Sequence, residues 1–358
     1  MTALRELLLA QIARDGPMSV ADYMTACLLH PDLGYYATRN PFGASGDFIT
    51  APEISQMFGE LIGLWLAQTW LDQGAPDPFA LAELGPGRGV LMADILRATA
   101  RVPGFHAAMD LHLVEASPVL REIQRKAVAP KSAAFHDQIV TLPEAPLFLV
   151  ANEFFDALPI RQYQRGAAGW LERQIGVEAG DLIWGLAPER GIRALDGRLQ
   201  DTTTGQIVEH CPAAEAIAGE IGHRIAQHGG VALIIDYGDQ RSIGDTFQAL
   251  KNHDFTDPLA EPGEADLTAH VAFGPLAHAA RPARATRLTP QGVFLEKLGI
   301  TDRARKLAEP LTGDALKQHI AAHRRLTHPD EMGHLFKVLS LTPPNAEIPP
   351  ALEPASTS

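Results

Sequence analysis

Glu83-Leu84-Gly85-Pro86-Gly87-Arg88-Gly89 is the stretch on which the fold of this chain turns. Before it, residues 79–84 are apolar enough for a buried strand, and after Gly89 the apolar positions recur at helical spacing to about Arg101. The glycines therefore sit where a strand turns into a helix. A Cβ there would obstruct both the tight turn and the approach of a ligand to the backbone. A dinucleotide fingerprint would place its third glycine one residue further on, where this chain has Val90.

Glycines at 85, 87 and 89 instead fit the E/D-x-G-x-G-x-G loop of methyltransferases. That loop passes under the methionine part and ribose of a cofactor with no pyrophosphate to cradle. A glycine-rich turn without a ligand is the plainer alternative. Outward from the loop, strands and helices alternate: strand 111–115, helix 118–128, then short strands at 133–136 and 147–151. Such alternation with short links marks a parallel α/β sheet. Val231-Ala232-Leu233-Ile234-Ile235-Asp236 is the most apolar strand in the chain and a candidate for the sheet centre.

Helices are expected over 4–14, after Ser19 as a cap, and over 53–71 with Phe58, Leu61, Ile62, Trp65 and Leu66 on one face. Within 161–185 the pattern becomes that of a small antiparallel hairpin. Helix 213–228 precedes the central strand, and helices near 274–280, 291–298 and 314–326 precede a last strand at 335–341. The predicted organisation is an N-terminal helical or lid region, 1–75, and a Rossmann-like α/β core, 76–341. The core carries a β-hairpin insertion at about 160–205 and a helical substrate-side region at about 240–330. Residues 342–358, rich in Pro, Ala and Ser, read as a disordered tail.

Polar residues at strand ends are the candidates for chemistry, because ligands of open parallel sheets gather at the carboxyl ends of the strands. Glu83 and Gly85, Gly87 and Gly89 form the loop. Glu115 can accept from both ribose hydroxyls, or be a solvated strand-end acid. Asp137 can accept from the adenine amine, with His136 beside it a filler. Asn152-Glu153-Phe154-Phe155-Asp156-Ala157-Leu158-Pro159 ends the fourth strand. If a helical turn starts there, Glu153 and Asp156 share a face and can grip a guanidinium, or Asn152 or Asp156 simply caps that helix. Tyr237 can orient a substrate or be buried at the strand end. His270, His319, His323 and His328 form no metal set with usable spacing, and no metal is expected.

Hydrophobic residues make up 46% and charged residues 20%, which suits a globular enzyme and excludes a disordered chain. The net charge of −13 argues against a nucleic-acid partner, which needs a basic footprint. No segment approaches the ~20 apolar residues of a membrane span. Cys27 and Cys211 lack metal-ligand spacing and read as reduced thiols. Charges inside Leu4-Arg5-Glu6-Leu7-Leu8-Leu9 argue for an amphipathic helix rather than a signal peptide, and a cytoplasmic setting is expected.

The chain resembles the MidA family of methyltransferases over nearly its whole length apart from the tail. The likeness rests on Gly34-Tyr35-Tyr36, Gly46-Asp47-Phe48-Ile49-Thr50-Ala51-Pro52-Glu53, the glycine loop and the 152–159 motif. It continues in Ile235-Asp236-Tyr237-Gly238, Asp266-Leu267-Thr268-Ala269-His270-Val271 and Gln291-Gly292-Val293-Phe294-Leu295. The resemblance implies a class I methyltransferase fold, S-adenosylmethionine as cofactor and a protein arginine as acceptor. Mitochondrial members are assembly factors for respiratory complex I, which implies a subunit of NADH:quinone oxidoreductase as protein partner. The segment with Gly46, Asp47 and Thr50 has no counterpart in a minimal methyltransferase core and is expected to close over the methyl-donor end. The pattern departs at Gly244-Asp245-Thr246-Phe247, where relatives tend to read Gly-Thr-Leu-Arg. A non-catalytic cofactor-binding assembly chaperone and a methyltransferase for a small molecule or RNA are the alternatives. The oligomeric state is open.

Overall fold

The computed structural model describes residues 2–38 and 50–355. Their contacts divide into two units, each built from three stretches of chain. One contains 50–155, 215–238 and 273–355; the other contains 2–38, 156–214 and 239–272.

The first of these units is a mostly parallel sheet. Strands β1 (Phe79–Leu84), β2 (Met109–Val114), β3 (Ala134–His136), β4 (Leu147–Asn152), β5 (Gly230–Asp239) and β6 (Phe336–Thr342) lie in the order β6-β5-β4-β1-β2-β3. The pairs from β3 across to β5 are parallel, and β6 runs antiparallel to β5. Strand order reverses between β1 and β4, which creates the crevice where open α/β sheets bind ligands. Residues 231–236 are wholly buried, as expected of a central strand flanked on both sides.

Helices α1 (Gln56–Asp72) and α2 (Val90–Thr99) supply the core of this unit, and α3 (Pro118–Ala127) follows β2. The predicted face of α1 is buried, Phe58, Ile62, Trp65 and Leu66 almost completely, in a cluster with Phe79, Leu81, Ile95, Phe148 and Leu233. Burying a side chain of this size contributes roughly 1.5–3 kcal/mol. Gly63 lets α1 and α2 approach closely, since a Cβ there would lie 2.9 Å from the Ile95 Cα. The expected helix 53–71 is interrupted once: Ala51–Ile54 is a separate turn, and the Ser55 hydroxyl accepts from Met57 N to start α1.

In the other unit, helices Ala3–Asp15 and Val20–Leu29 are capped by Thr2 and Ser19, whose hydroxyls accept from Arg5 N and Asp22 N. Gly16 ends the first helix at φ 88°, at the predicted breaker. Leu4, Leu8, Val20, Tyr23 and Met24 pack with Ile175, Phe247 and Leu267. The expected hairpin is part of a larger antiparallel sheet. Trp170–Glu178 pairs with Arg161–Arg165, Asp181–Leu186 and the two residues Met18–Ser19, and Ile207–His210 extends the sheet beyond Arg161–Arg165.

Three expectations change. Residues 240–272 are not helical: Asp254–Thr256, Gln248–Lys251 and Asp266–Thr268 form a three-stranded antiparallel sheet, whose strands are too short to show a periodicity. Helix Ile300–Ala308 was not anticipated, because its sequence is charged and buries only Ile300 and Ala304. The tail, expected to be disordered, is placed through residue 355. Leu352 is 9% exposed, and the Trp65 indole donates to Pro350 O at 2.9 Å. Hydrophobic anchoring outweighs the proline-rich composition there.

Candidate active site

The parallel register of β1 to β5 brings the predicted strand-end residues to one edge of their sheet, with Leu84 opposite both Val114 and Ala151, and Ile235 opposite Asn152. The glycine loop leaves β1 at that edge. Gly85, Gly87 and Gly89 all have positive φ, at 60°, 53° and 79°. Gly85 has a second reason to be glycine: a Cβ would lie 2.9 Å from the Phe154 ring.

Glu83 lies inside the sheet with 3% exposure. The backbone N–H of Met92, in the first turn of α2, favours its anion without outweighing burial. Its Oε2 is buried and has no hydrogen-bond partner among the described residues. Burial first, then the nearby Glu115, push its pKa up to about 8. Glu115 accepts from Ser117 N at 2.8 Å through Oε1 and from the Gln124 amide at 3.1 Å through Oε2. Burial raises its pKa too, against those hydrogen bonds.

Gln124, on α3, was missed by sequence reasoning. It is wholly buried, donates to Gly87 O at 2.8 Å as well as to Glu115, and has no partner for Oε1 among the described residues. The signal was available as a polar residue on the same helical face as Leu120. Asp137 is exposed and ion-paired to Arg121, which also donates to the Glu115 carbonyl. His136 sits between His112 Nδ1 and the Thr141 hydroxyl, at 3.0 and 2.8 Å, and burial lowers the pKa of both histidines.

At the end of β4 the expectation of a helical turn fails. Residues 152–160 form no helix, and Glu153 adopts φ 51°. Asp236, fully buried, is the reason: its carboxylate accepts from Phe155 N at 3.0 Å and Tyr237 N at 2.9 Å, while Glu153 N donates to Ile235 O. The backbone is tied to β5 instead of coiling, so neither the shared helical face nor the helix cap exists. Glu153 Oε1 accepts from Ala51 N at 2.9 Å and from the Asn152 amide at 3.0 Å. Thr50 heads the Ala51–Ile54 turn without a side-chain cap bond, and Glu53 of that turn lies 3.6 Å from Arg88 of the glycine loop. Gly46 and Asp47 lie outside the described residues. Tyr237 is 9% exposed, with its ring edge-on to Phe336.

Asp156 belongs to the other unit. It is 7% exposed, and its carbonyl accepts from Ala269 N at 3.0 Å. There Tyr36 donates to Asp266 Oδ1 at 2.8 Å; burial, then Asp266 and Asp156, hold its hydroxyl well above the ordinary tyrosine range. Three stretches noted in the sequence, 34–36, 152–159 and 266–271, thus contribute to one polar cluster. Among the described residues, no group of three or more His, Cys, Asp or Glu could hold a metal ion.

The residues at the sheet edge fit a ligand rich in hydrogen-bond donors and carrying positive charge. Among the described residues Glu83 Oε2 and Gln124 Oε1 are buried without a donor, the Glu83 and Glu115 carboxylates are near each other, and the three loop glycines present no Cβ. Comparison with known proteins shows which cofactor the chain takes. A family model described as "Putative S-adenosyl-L-methionine-dependent methyltransferase" matches residues 61–291. This chain belongs to that methyltransferase family. The human mitochondrial protein arginine methyltransferase NDUFAF7 is 36% identical over 373 residues, covering 96% of this chain and 84% of that protein. Its Drosophila melanogaster homolog is 35% identical over 376 residues, covering 95% and 85%. A Burkholderia thailandensis protein solved with S-adenosyl-homocysteine bound superposes with a TM-score of 0.84 at 29% identity, over 98% of this chain and 94% of that one.

The methyltransferase is therefore an S-adenosylmethionine-dependent enzyme with the class I fold, and the MidA resemblance is borne out. The cytoplasmic setting is overturned, since the matching NDUFAF7 proteins are named as mitochondrial. The first helix buries Leu4, Leu8 and Ile12, so its apolar spacing reflects packing. Among the described residues no helix is long and apolar enough to cross a membrane.

Proposed function

We propose that this methyltransferase modifies an arginine side chain of a protein, and that the protein is a subunit of NADH:quinone oxidoreductase. The observation that carries the first step is the identity of 34–36%, over 93–96% of the chain, to relatives named protein arginine methyltransferases. The second step rests on the MidA resemblance. Bound S-adenosylmethionine supplies an electrophilic methyl group. Glu83, Gly85, Gly87, Gly89, Glu115 and Asp137 are the proposed cofactor residues, with Glu115 accepting from the ribose hydroxyls. Gly46, Asp47 and Thr50 are assigned to the methyl-donor side.

Asn152, Glu153, Asp156 and Tyr237 are the proposed acceptor-side residues. A guanidinium stays protonated in water and is a poor nucleophile, so it must be aligned and must lose a proton during or after transfer. Carboxylates localise its charge, and alignment contributes much of the rate. Glu153 carries the first of these tasks, its carboxylate already oriented by the Ala51 and Asn152 donors. The test is transfer of labelled methyl from S-adenosylmethionine into respiratory-complex subunits, followed by hydrolysis and identification of methylarginine. Label in RNA or in small molecules alone, or cofactor binding without any label transfer, would refute the proposal.

A further inference from the structure

Gln124 presents a physical puzzle. Its side chain is completely buried on α3, where an apolar residue would pack as Leu120 does one turn earlier. A buried amide with an unused acceptor is a net liability to the fold, because its desolvation is only partly repaid. Among the described residues Oε1 is unused, and Nε2 donates to two acceptors, Gly87 O at 2.8 Å and Glu115 Oε2 at 3.1 Å. Those acceptors belong to two separate parts of the ligand edge: the glycine loop after β1 and the acid after β2. One donor fixes the separation of both. Ser117 N holds the opposite oxygen of the same carboxylate at 2.8 Å, so the Glu115 plane is defined from two sides.

We propose that Gln124 is a positioning residue for the methyltransferase. It braces the Glu115 carboxylate against the glycine loop, so that the carboxylate is set to accept from the cofactor ribose before the cofactor arrives. The gain is preorganisation: an acceptor already held in place loses less freedom on binding. This inference rests on the assignment of Glu115 to the ribose.

Calorimetry with S-adenosyl-homocysteine tests it on the wild type, Gln124→Met, Glu115→Gln and the double variant, with thermal unfolding measured alongside. Methionine keeps the volume and removes the donor. Loss of a hydrogen bond to a charged group predicts binding weaker by about tenfold or more for Gln124→Met, with a thermal midpoint close to that of the wild type. The double variant is expected to bind no more weakly than Glu115→Gln alone, because the brace acts through that carboxylate. The wild type is also expected to discriminate against the 2′-deoxy form of the ligand, and Gln124→Met to bind both forms nearly alike. A merely structural role would not produce that collapse.

Wild-type affinity in Gln124→Met beside impaired Glu115→Gln overturns the brace alone. Losses that multiply in the double variant also overturn it. Wild-type affinity in Glu115→Gln overturns the ribose assignment, and the brace with it. Gln124→Leu carries the same expectations if the methionine variant does not fold.

Discussion

Glu83 is a carboxyl group kept out of water, and the consequence is measurable as a pH dependence. Its pKa rises from an ordinary 4.5 to about 8 in the folded chain. Between those values the native protein retains a proton that the unfolded chain has lost, so this group's contribution to stability falls as pH rises from about 4.5 to about 8. Glu83→Gln removes the titration. Without cofactor it should gain on the parent steadily between those pH values in urea unfolding, and parallel stability curves would refute this. With the cofactor placed as proposed, its sulfonium favours the anion, so affinity for S-adenosylmethionine should climb with pH more steeply than affinity for S-adenosyl-homocysteine. Gly85→Ala combines a left-handed backbone with a Cβ 2.9 Å from Phe154. The backbone alone costs about 1–2 kcal/mol, and calorimetry should show cofactor affinity reduced at least tenfold, by roughly 1.4 kcal/mol. At this scale the glycines and Glu115 were legible in the sequence because backbone geometry and strand ends are local. The partners of Gln124 and Asp236 were not, since each acts on residues from distant stretches: Gly87 and Phe155.

Among elements, α1 is tied to its neighbours by ion pairs as well as through its apolar face. Glu60 pairs with Arg97 of α2 at 2.6 Å and with Arg303 of the Ile300–Ala308 helix at 2.8 Å. Burial opposes its ionisation, but hydrogen bonds and charge from Arg303 and Arg97 outweigh that and lower its pKa. Its contribution is therefore present above the unfolded glutamate pKa and lost as pH falls through the folded value. Glu60→Gln should cost about 1 kcal/mol at neutral pH and little in acid; equal unfolding midpoints at both pH values would show that the network is inert. The strands β1, β2, β4 and β5 were readable because apolar runs beside breakers are strong signals. The Ile300–Ala308 helix was hidden because its stability comes from packing and ion pairs, not from an apolar stripe. The supposed helix after Asn152 was a false reading for the converse reason: local spacing permitted it, and Asp236 on another strand forbids it.

In the whole molecule, the tail beyond β6 is bound to the unit that holds the glycine loop. Ending the chain at Thr342 would remove Leu352 and the acceptor for the Trp65 indole. A loss of about 1.5–3 kcal/mol, the worth of one large buried apolar side chain, is expected in denaturant unfolding; an unchanged midpoint would show that the segment contributes nothing. The sequence by itself determined that a parallel α/β sheet carries a glycine loop at a strand-to-helix turn, since periodicity and glycine spacing are properties of short stretches. It did not determine how the stretches are shared between two units, because each unit is assembled from three segments far apart in the chain. Only the tertiary structure decided which buried polar groups meet and which tail is anchored. Burial and hydrogen-bond partnership belong to places in space, and no local pattern encodes them.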